Sequence, residues 1–245
     1  MVSGVATAVC ILGMHRSGTS CLAGCLESAG LQLGEVVEWA PFNLKGNREN
    51  LDIRALNDDV LATSGGAWDA PPAQLRWTPA QEARRDAIVE GLSALGDLWG
   101  FKDPRVVLTL PFWQERVGKL RVAATFRHPL AVAQSLAARQ DVPLERGIWL
   151  WREYNERLLR YVRQSEAALV SFDAPREEYL GALRATVAYL GLDQPAGIEA
   201  RLDSFFEESL RRQSRTTGSA ATLSAEVGSL YDALDGHYRS WLQYA

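Results

Sequence analysis

The sequence predicts an α/β fold of three layers, in which helices flank both faces of a parallel sheet and a helical tail follows at about residues 196–245. Short apolar segments alternate with longer segments of helical periodicity, which is the pattern of strand–helix–strand units. The first apolar run, residues 5–12, is almost continuous and rich in β-branched side chains, as is typical of a strand buried on both faces. A chain of 245 residues suits this class, and we expect residues 1–245 to form a single domain.

The order of elements follows from local signals along the chain. Strands are predicted at residues 5–12, 98–102, 121–126 and 167–172. Helices are predicted at residues 19–29, 53–62, 79–95, 106–116, 129–139, 145–164, 175–190 and 223–244. Gly30 is expected to end the first helix, because glycine readily adopts the left-handed conformation found there. Thr78 and Pro79 are favourable cap and first-turn residues for the third helix. In such folds, ligands bind beyond the carboxyl ends of the strands.

Charge and cysteine content restrict the classes of partner. The chain has 26 basic and 30 acidic residues, a formal net charge of -4. This balance does not favour nucleic-acid or membrane-surface binding, so an anionic ligand would need a local basic site. Nowhere do about 18 apolar residues run together, so no membrane span is expected. No secretory signal is recognisable, and three clustered cysteines argue against a disulfide framework, so a cytoplasmic protein is expected.

A glycine-containing turn follows the first predicted strand. Its sequence is Gly13-Met14-His15-Arg16-Ser17-Gly18-Thr19-Ser20. The glycine spacing and closing hydroxyl match a phosphate-binding P-loop, but Thr19 stands where such loops carry lysine. The amides of the turn and the start of the next helix favour an anion. Arg16 is the one cation of the loop, which suits an anion with one phosphate and one terminal group, bound without metal.

A second anion-binding element follows the third predicted strand. That strand ends in Phe126-Arg127-His128-Pro129, and a helix follows. Ser135 lies about two helical turns beyond His128 and therefore above the same face as the helix start. Arg127 supplies a forked, permanently charged donor group, and Ser135 supplies a neutral one. The two side chains can converge on one phosphate.

Together the two elements resemble the sulfotransferase family, in its bacterial branch. The resemblance covers roughly residues 5–192, with motifs at Gly13–Ser20, Gly46–Asn57, Lys102–Arg105, Arg127–Arg139 and Gly147–Asn155. It implies a P-loop sulfotransferase fold with 3′-phosphoadenosine 5′-phosphosulfate (PAPS) as sulfuryl donor and no metal. It implies 5′-phosphosulfate binding by Arg16, Ser17, Gly18, Thr19 and Ser20, and 3′-phosphate binding by Arg127 and Ser135. The acceptor would be a hydroxyl or amine of a small molecule, saccharide or lipid.

Sulfuryl transfer needs cations around the sulfuryl group and a base for the acceptor. Arg16 is the first candidate cation. Lys102 is the second, because it ends a strand in a Lys-Asp-Pro element that is similar to the one in protein-tyrosine sulfotransferases, where the lysine supports the transition state. Asp103 either orients Lys102 or caps the next helix. Arg105 is a candidate for binding an acidic acceptor.

Three residues are candidates for the general base. Glu49 lies in a loop just before a helix, from which it could reach the phosphate loop, and it is the favoured candidate. Glu35 has a rival claim from its distance beyond the loop. His15 stands where many relatives have proline, and it could face the acceptor. Sequence alone does not place any of them near an acceptor oxygen.

Several aromatic and basic residues are open to two interpretations. Trp149, Trp151, Tyr154 and Asn155 lie at helical spacing and are interpreted as core, with adenine stacking as the alternative. The loops at 31–52 and 64–78 are expected to shape the acceptor pocket, and their tryptophans are either stacking or packing residues: Trp39, Trp68 and Trp77. A basic group near the end of the chain is either a 3′-phosphate clamp or a solvated run: Arg211, Arg212 and Arg215.

Two other functional classes remain open at this stage. A metal-dependent P-loop nucleotide kinase or hydrolase is disfavoured by Thr19 and by the lack of an acidic magnesium ligand other than Asp103. A non-catalytic nucleotide-binding module would be favoured if Glu49, Lys102 and Arg16 did not converge.

Overall fold

A parallel sheet of four strands lies at the centre of the computed structural model, which describes residues 6–39, 46–192 and 223–244. The strands are β1 (Thr7–Leu12), β2 (Leu98–Lys102), β3 (Leu120–Phe126) and β4 (Ala167–Ser171), in the order β2-β1-β3-β4. Each neighbouring pair is parallel. The chain leaves β1 toward β2 on one side and reaches β3 on the other, so β1 borders a switch point of the kind where such folds bind ligands.

Eight helices surround this sheet in the described part of the chain. They are α1 (Thr19–Ser28), α2 (Leu51–Thr63), α3 (Pro79–Ser93), α4 (Val106–Gln114), α5 (Pro129–Gln140), α6 (Leu144–Gln164), α7 (Arg176–Leu190) and α8 (Ala225–Tyr244). The predicted α/β class, with a helix in the C-terminal part, is confirmed. Within the predicted tail, residues 196–222 and the group Arg211, Arg212 and Arg215 lie outside the described residues.

Complete burial of β1 explains its apolar sequence. All six residues of Thr7–Leu12 are buried. Because successive side chains of a strand point to opposite faces, both faces of the sheet must be covered at this position. Helices α1 and α7 contact each other and strands of the sheet, while α6 packs on β3, β4, α4, α5 and α8. The predicted three-layer arrangement follows from this packing.

Capping residues fix the helix that precedes β2. Thr78 Oγ1 accepts a hydrogen bond from the backbone of Gln81, and the Gln81 side chain accepts one from the backbone of Thr78. This reciprocal capping box, with Pro79 in the first turn, starts α3 where the sequence predicts.

No helix within the described ranges combines the length and apolarity that crossing a bilayer requires.

Candidate active site

A cavity of about 250 Å³ opens at the carboxyl edge of the sheet, beyond the ends of β1 and β2. It is lined by His15, Arg16, Thr19, Ser20, Asn47, Glu49, Arg54, Lys102, Pro104, Arg105, Arg139 and Gln140. The phosphate loop, the segment before α2, the end of β2 and the end of α5 thus meet in one place. The three predicted catalytic residues, Arg16, Glu49 and Lys102, all line this cavity.

Two glycines give the phosphate loop its shape. Gly13 has φ 154, and a Cβ there would lie 2.6 Å from the carbonyl oxygen of Thr125. Gly18 has φ 88, and a Cβ there would lie 2.2 Å from the ring of Phe172. Both positions combine an unusual backbone conformation with a close neighbour, so a larger residue would displace the loop. Arg16 itself adopts φ 68, the left-handed region that non-glycine residues seldom occupy.

The start of α1 faces the cavity through Thr19 and Ser20. The first helical hydrogen bond runs from Leu22 N to Gly18 O at 3.0 Å, so the preceding amides are not used inside the helix. Amides at a helix start attract anions. Ser17 is fully buried below the loop, where its carbonyl accepts a hydrogen bond from Thr125 Oγ1 at 3.1 Å.

The cavity is strongly basic although the chain is acidic overall. Five cations line it, and Glu49 is the one carboxylate among the lining residues. Burial, and then repulsion from Arg139 and Arg127, lowers the pKa of Arg16 to about 10. Burial, followed by the nearby cations, lowers the pKa of His15 well below its usual value, so the imidazole is neutral at neutral pH. An anion in the cavity would relieve this concentration of positive charge.

Glu49 and Lys102 form an ion pair inside the cavity. Lys102 Nζ donates to Glu49 Oε1 at 2.8 Å and to the carbonyl oxygen of Asn47 at 2.9 Å. The Lys102 side chain is 1% exposed and that of Glu49 is 10% exposed. Ser20 Oγ donates to the same Asn47 carbonyl at 3.1 Å. The segment that carries Glu49 therefore contacts both the phosphate loop and the end of β2.

Backbone hydrogen bonds hold the Glu49 segment in place. Val37 N donates to Glu49 O at 3.0 Å, and Arg48 N donates to Val37 O at 3.1 Å. One residue later, Asn50 Oδ1 accepts from the amides of Asp52 and Ile53 and caps α2. A capped helix on one side and a short ladder on the other fix the position of the carboxylate.

The two rival base candidates are placed differently. Glu35 is exposed and lines a separate cavity of about 210 Å³, which Glu49 also borders. His15 lies against Trp68 and Tyr154, with ring centroids 4.9 Å and 6.0 Å away. Its Nε2 is buried and has no hydrogen-bond partner within the described ranges. His15 and Glu49 thus both border the main cavity.

The second predicted anion element lies next to the phosphate loop. Arg127 Nη1 donates to the carbonyl oxygen of Arg16 at 3.4 Å, and Arg127 Nε lies 3.4 Å from Asp173 Oδ1. Ser135 Oγ accepts a hydrogen bond from Arg16 Nε at 2.9 Å. Both Arg127 and Ser135 therefore contact Arg16. The contact between Arg16 and Ser135 was not foreseen from the sequence, because it joins residues 119 positions apart.

Asp103 belongs to a buried network rather than to the cavity lining. Its Oδ1 accepts from Arg105 N at 2.8 Å, and its Oδ2 accepts from Arg105 Nη1 at 3.0 Å. Asn57 Nδ2 approaches the same carboxylate at 3.4 Å, and Arg105 Nε donates to Asp58 at 2.6 Å. Of the two predicted roles for Asp103, its hydrogen bond from the amide of Arg105 fits the one at the start of α4, since Arg105 immediately precedes this helix.

The aromatic residues serve mainly as packing. Trp151 is fully buried and donates from Nε1 to the carbonyl oxygen of Arg127 at 2.8 Å, which steadies the end of β3. Trp149 is half-buried, with the guanidinium of Arg146 above its ring at 4.0 Å. Trp77 packs on Phe112. The remaining two tryptophans of the acceptor loops are Trp68, on His15, and Trp39, which is 62% exposed.

Two cavity cations were missed by sequence reasoning. Arg54 lies in the first turn of α2, and Arg139 lies in the last turn of α5. Both lie within segments that carry the family resemblance, Gly46–Asn57 and Arg127–Arg139, but neither was a candidate site residue. The fold brings them to the cavity beside the phosphate loop.

Two of the three cysteines lie on α1, where Cys25 is buried and Cys21 is half-buried. Within residues 6–39, 46–192 and 223–244, no group of three or more His, Cys, Asp or Glu side chains is arranged to hold a metal ion.

Comparison with known proteins gives matches at the level of structure. No family model matches the chain, and no curated protein does so significantly. The sulfotransferase domain from the olefin synthase of Synechococcus PCC 7002 has a TM-score of 0.62 and 17% identity, over 95% of this chain and 96% of that domain. The sulfotransferase domain from the curacin biosynthetic pathway has a TM-score of 0.64 and 14% identity, over 95% and 99%.

A third match is more distant. Sulfotransferase STF9 from Mycobacterium avium has a TM-score of 0.54 and 12% identity, over 99% of this chain and 78% of that protein. Similarity at this level of identity concerns the fold. The chain has the fold of these sulfotransferases, and the resemblance inferred from its motifs is confirmed at that level.

Proposed function

We propose that this chain is a sulfotransferase that moves a sulfuryl group from PAPS to a hydroxyl or amine of a small-molecule, saccharide or lipid acceptor. One observation carries the proposal. The phosphate loop, Lys102 and Glu49 border a single cavity, in which five cations surround one carboxylate. The fold shared with sulfotransferase domains supports the same conclusion.

The cavity and the Arg127 element beside it suit a donor with anionic groups at both ends, although Arg127 and Ser135 are not among the residues that line the cavity. We assign the 5′-phosphosulfate to the α1 amides, Arg16 and the hydroxyls of Thr19 and Ser20. We assign the 3′-phosphate to Arg127 and Ser135, which both contact Arg16. Since Arg16 joins the two elements, one bisphosphate could bridge them. PAPS supplies the sulfuryl group of the reaction.

Glu49 is the proposed general base. Its carboxylate accepts a hydrogen bond from Lys102 and borders the cavity, whereas the side chain of Glu35 is exposed and borders the other cavity. His15 borders the same cavity, but burial and neighbouring cations lower its pKa and weaken it as a base. Glu49 receives the acceptor proton as the acceptor oxygen bonds to sulfur and the bond from sulfur to the bridging oxygen breaks.

Lys102 is the proposed cation for the transferring group. Its ammonium has three donor positions, of which Glu49 and the Asn47 carbonyl use two. The third is available for an oxygen of the sulfuryl group or of the leaving phosphate. A preorganised cation at such a position stabilises developing charge without reorganisation. Arg16 supplies the second cation.

A metal-dependent kinase or hydrolase fits the residues less well. Thr19 replaces the loop lysine, and Asp103, the candidate magnesium ligand, is fully buried with its oxygens bound by Arg105 and Asn57. A non-catalytic binding module would require that Arg16, Glu49 and Lys102 lie apart. They line one cavity, which argues for the enzyme.

The test is transfer of labelled sulfate from PAPS to a panel of phenols, alcohols, sugars and amines in the presence of a metal chelator. We expect a labelled product with at least one acceptor class and a matching release of 3′,5′-bisphosphoadenosine. In parallel, ATP with magnesium should stabilise the protein less than 3′,5′-bisphosphoadenosine with chelator. Stabilisation by ATP and magnesium alone would contradict the proposal, and nucleotide binding without any transfer would favour the binding module.

A further inference from the structure

The charges of the main cavity can be separated by their partners. Lys102 is paired with Glu49 at 2.8 Å. Arg105 is paired with Asp103 at 3.0 Å and with Asp58 at 2.6 Å. Each of these cations therefore has a carboxylate of its own. Arg54 has no carboxylate or other hydrogen-bond partner for its guanidinium within residues 6–39, 46–192 and 223–244.

The position of Arg54 on α2 explains why it lacks a partner. A helical arginine can pair with an acidic residue four positions later, which here is Asp58. Asp58 instead accepts a hydrogen bond from Arg105 Nε at 2.6 Å. Arg54 is exposed and lines the cavity, so its charge is directed to the space beside Glu49 rather than to its own helix.

Arg54 is distinct from the second anion element, because Arg54 lines the cavity whereas Arg127 and Ser135 are not among its lining residues. Arg16 and Arg139 influence each other, and Arg16 contacts Ser135 and Arg127, so these residues form the donor side. His15 lines the same cavity as Arg54, and its Nε2 is buried and has no hydrogen-bond partner within the described ranges. A cation and an unsatisfied imidazole nitrogen thus border the space beside the proposed base.

We propose that Arg54, assisted by His15, binds an anionic group on the acceptor, so that the substrate is a hydroxyl compound carrying a carboxylate, phosphate or sulfate. The proposal rests on the proposed sulfotransferase function and narrows its substrate class. Arg54 contributes a forked donor set suited to such oxyanions, and His15 contributes one further polar contact. Arg54 is a specificity-determining residue in this account and takes no part in the chemistry at sulfur.

The experiment uses inorganic phosphate as the probe of the second anion site. The full chain is first saturated with PAPS in the presence of chelator, so that PAPS occupies the donor site. Phosphate is then titrated, and the rise in melting temperature is followed. We expect a saturable rise in the wild type and a roughly tenfold to hundredfold weaker phosphate affinity in Arg54→Ala. Arg54→Lys should recover part of the affinity, because it restores the charge without the fork.

A matched control separates the site from general surface charge. Arg84 is an exposed arginine whose partner, Asp59, also lies on α2, and it does not line the cavity. Arg84→Ala should leave the phosphate response unchanged. The inference is overturned if phosphate gives no saturable response with PAPS bound, or if Arg54→Ala binds phosphate as the wild type does. If PAPS itself does not bind, the proposed function fails and this inference falls with it.

Discussion

Two ion pairs lie next to each other at the end of β2, and they differ in what surrounds them. Lys102 and Glu49 both line the cavity, and Lys102 Nζ also donates to the Asn47 carbonyl. Asp103, the next residue, is fully buried and is held by the backbone and side chain of Arg105. The first pair can exchange partners when a ligand enters, whereas in the second pair Arg105 borders the cavity and Asp103 is fixed in the core.

The fixed pair continues into a wider network. Asn57 Oδ1 accepts hydrogen bonds from Trp113 Nε1 at 2.9 Å and from Thr109 Oγ1 at 2.7 Å, while Asn57 Nδ2 faces Asp103. These residues join α2 to α4. The two adjacent residues therefore differ in role. Lys102 is available for chemistry, and Asp103 belongs to the buried network that joins α2 to α4.

The largest expected effect is on the catalytic pair. Glu49→Gln retains a hydrogen bond to Lys102 but cannot accept the acceptor proton. We expect turnover to fall about 10²–10⁴-fold at a temperature where the variant is folded. The melting temperature should also fall, because the buried Lys102 loses its counter-charge. Turnover and thermal unfolding are measured on the same preparation. Glu35→Gln is the matched control and should retain activity, and the reverse result would move the base to Glu35.

The next largest effect is on the structural pair. Asp103→Asn removes one of the two counter-charges of the buried Arg105 and leaves Asp58, and breaking a buried pair costs up to about 3–5 kcal/mol. For a chain of this size, 3 kcal/mol corresponds to a fall of roughly 6–12 °C in melting temperature. Thermal or denaturant unfolding checks the value. A variant as stable as the wild type but inactive would show that Asp103 acts in the chemistry and is not a structural residue.

A smaller loss of stability is expected from a substitution at Asn57, in the buried network that includes Asp103. Asn57→Leu removes the acceptor for Trp113 and Thr109, both buried, and an unsatisfied buried donor costs about 1–3 kcal/mol. Nucleotide affinity should stay the same, because Asn57 does not line the cavity. Denaturant unfolding and 3′,5′-bisphosphoadenosine titration together test this prediction. A loss of affinity without a loss of stability would contradict it.

The smallest expected effect concerns pH. The pKa of His15 is lowered in the folded chain by burial and by Arg105, Lys102 and other cations. The unfolded chain therefore takes up a proton first as the pH falls below about 6.5, so stability is present above that pH and is lost on acidification. At pH 5.5 this loss amounts to up to about 1.4 kcal/mol.

Comparing His15→Gln with the wild type isolates this contribution. The variant should lose less stability than the wild type between pH 7 and pH 5.5, as measured by denaturant unfolding. Equal slopes in the two proteins would mean that His15 titrates normally. Such a result would contradict the strongly basic cavity from which the anion site is inferred.

Local signals made most of the fold predictable. The strand at Leu98–Lys102 and the start of α3 at Pro79 agree with the sequence prediction, because hydrophobic runs and capping residues act over a few positions. The start of α2 was placed two residues late, at residue 53 instead of Leu51. Asn50 caps the helix and sets its start at Leu51.

The candidate site was predictable in its members and less so in its contacts. Arg16, Glu49 and Lys102 could be nominated because each lies in a motif or after a strand. Their contacts join distant parts of the chain: Lys102 meets Glu49 across 53 positions. Arg54 lies within the Gly46–Asn57 segment of the resemblance, but no local pattern distinguishes it from an ordinary exposed helix residue. Such contacts depend on how α2 and its preceding segment fold over the sheet, which no short window of sequence specifies.

The central claim is that the phosphate loop and the Arg127 element bind opposite ends of one adenosine bisphosphate. It is tested most directly by measuring the affinities of Arg127→Ala for 3′,5′-bisphosphoadenosine and for 5′-AMP, which lacks the 3′-phosphate. Arg121→Ala, at the other end of β3, is the control. The account predicts a roughly tenfold to hundredfold loss for the bisphosphate and none for 5′-AMP. Equal losses for both nucleotides, or no loss for either, would contradict it.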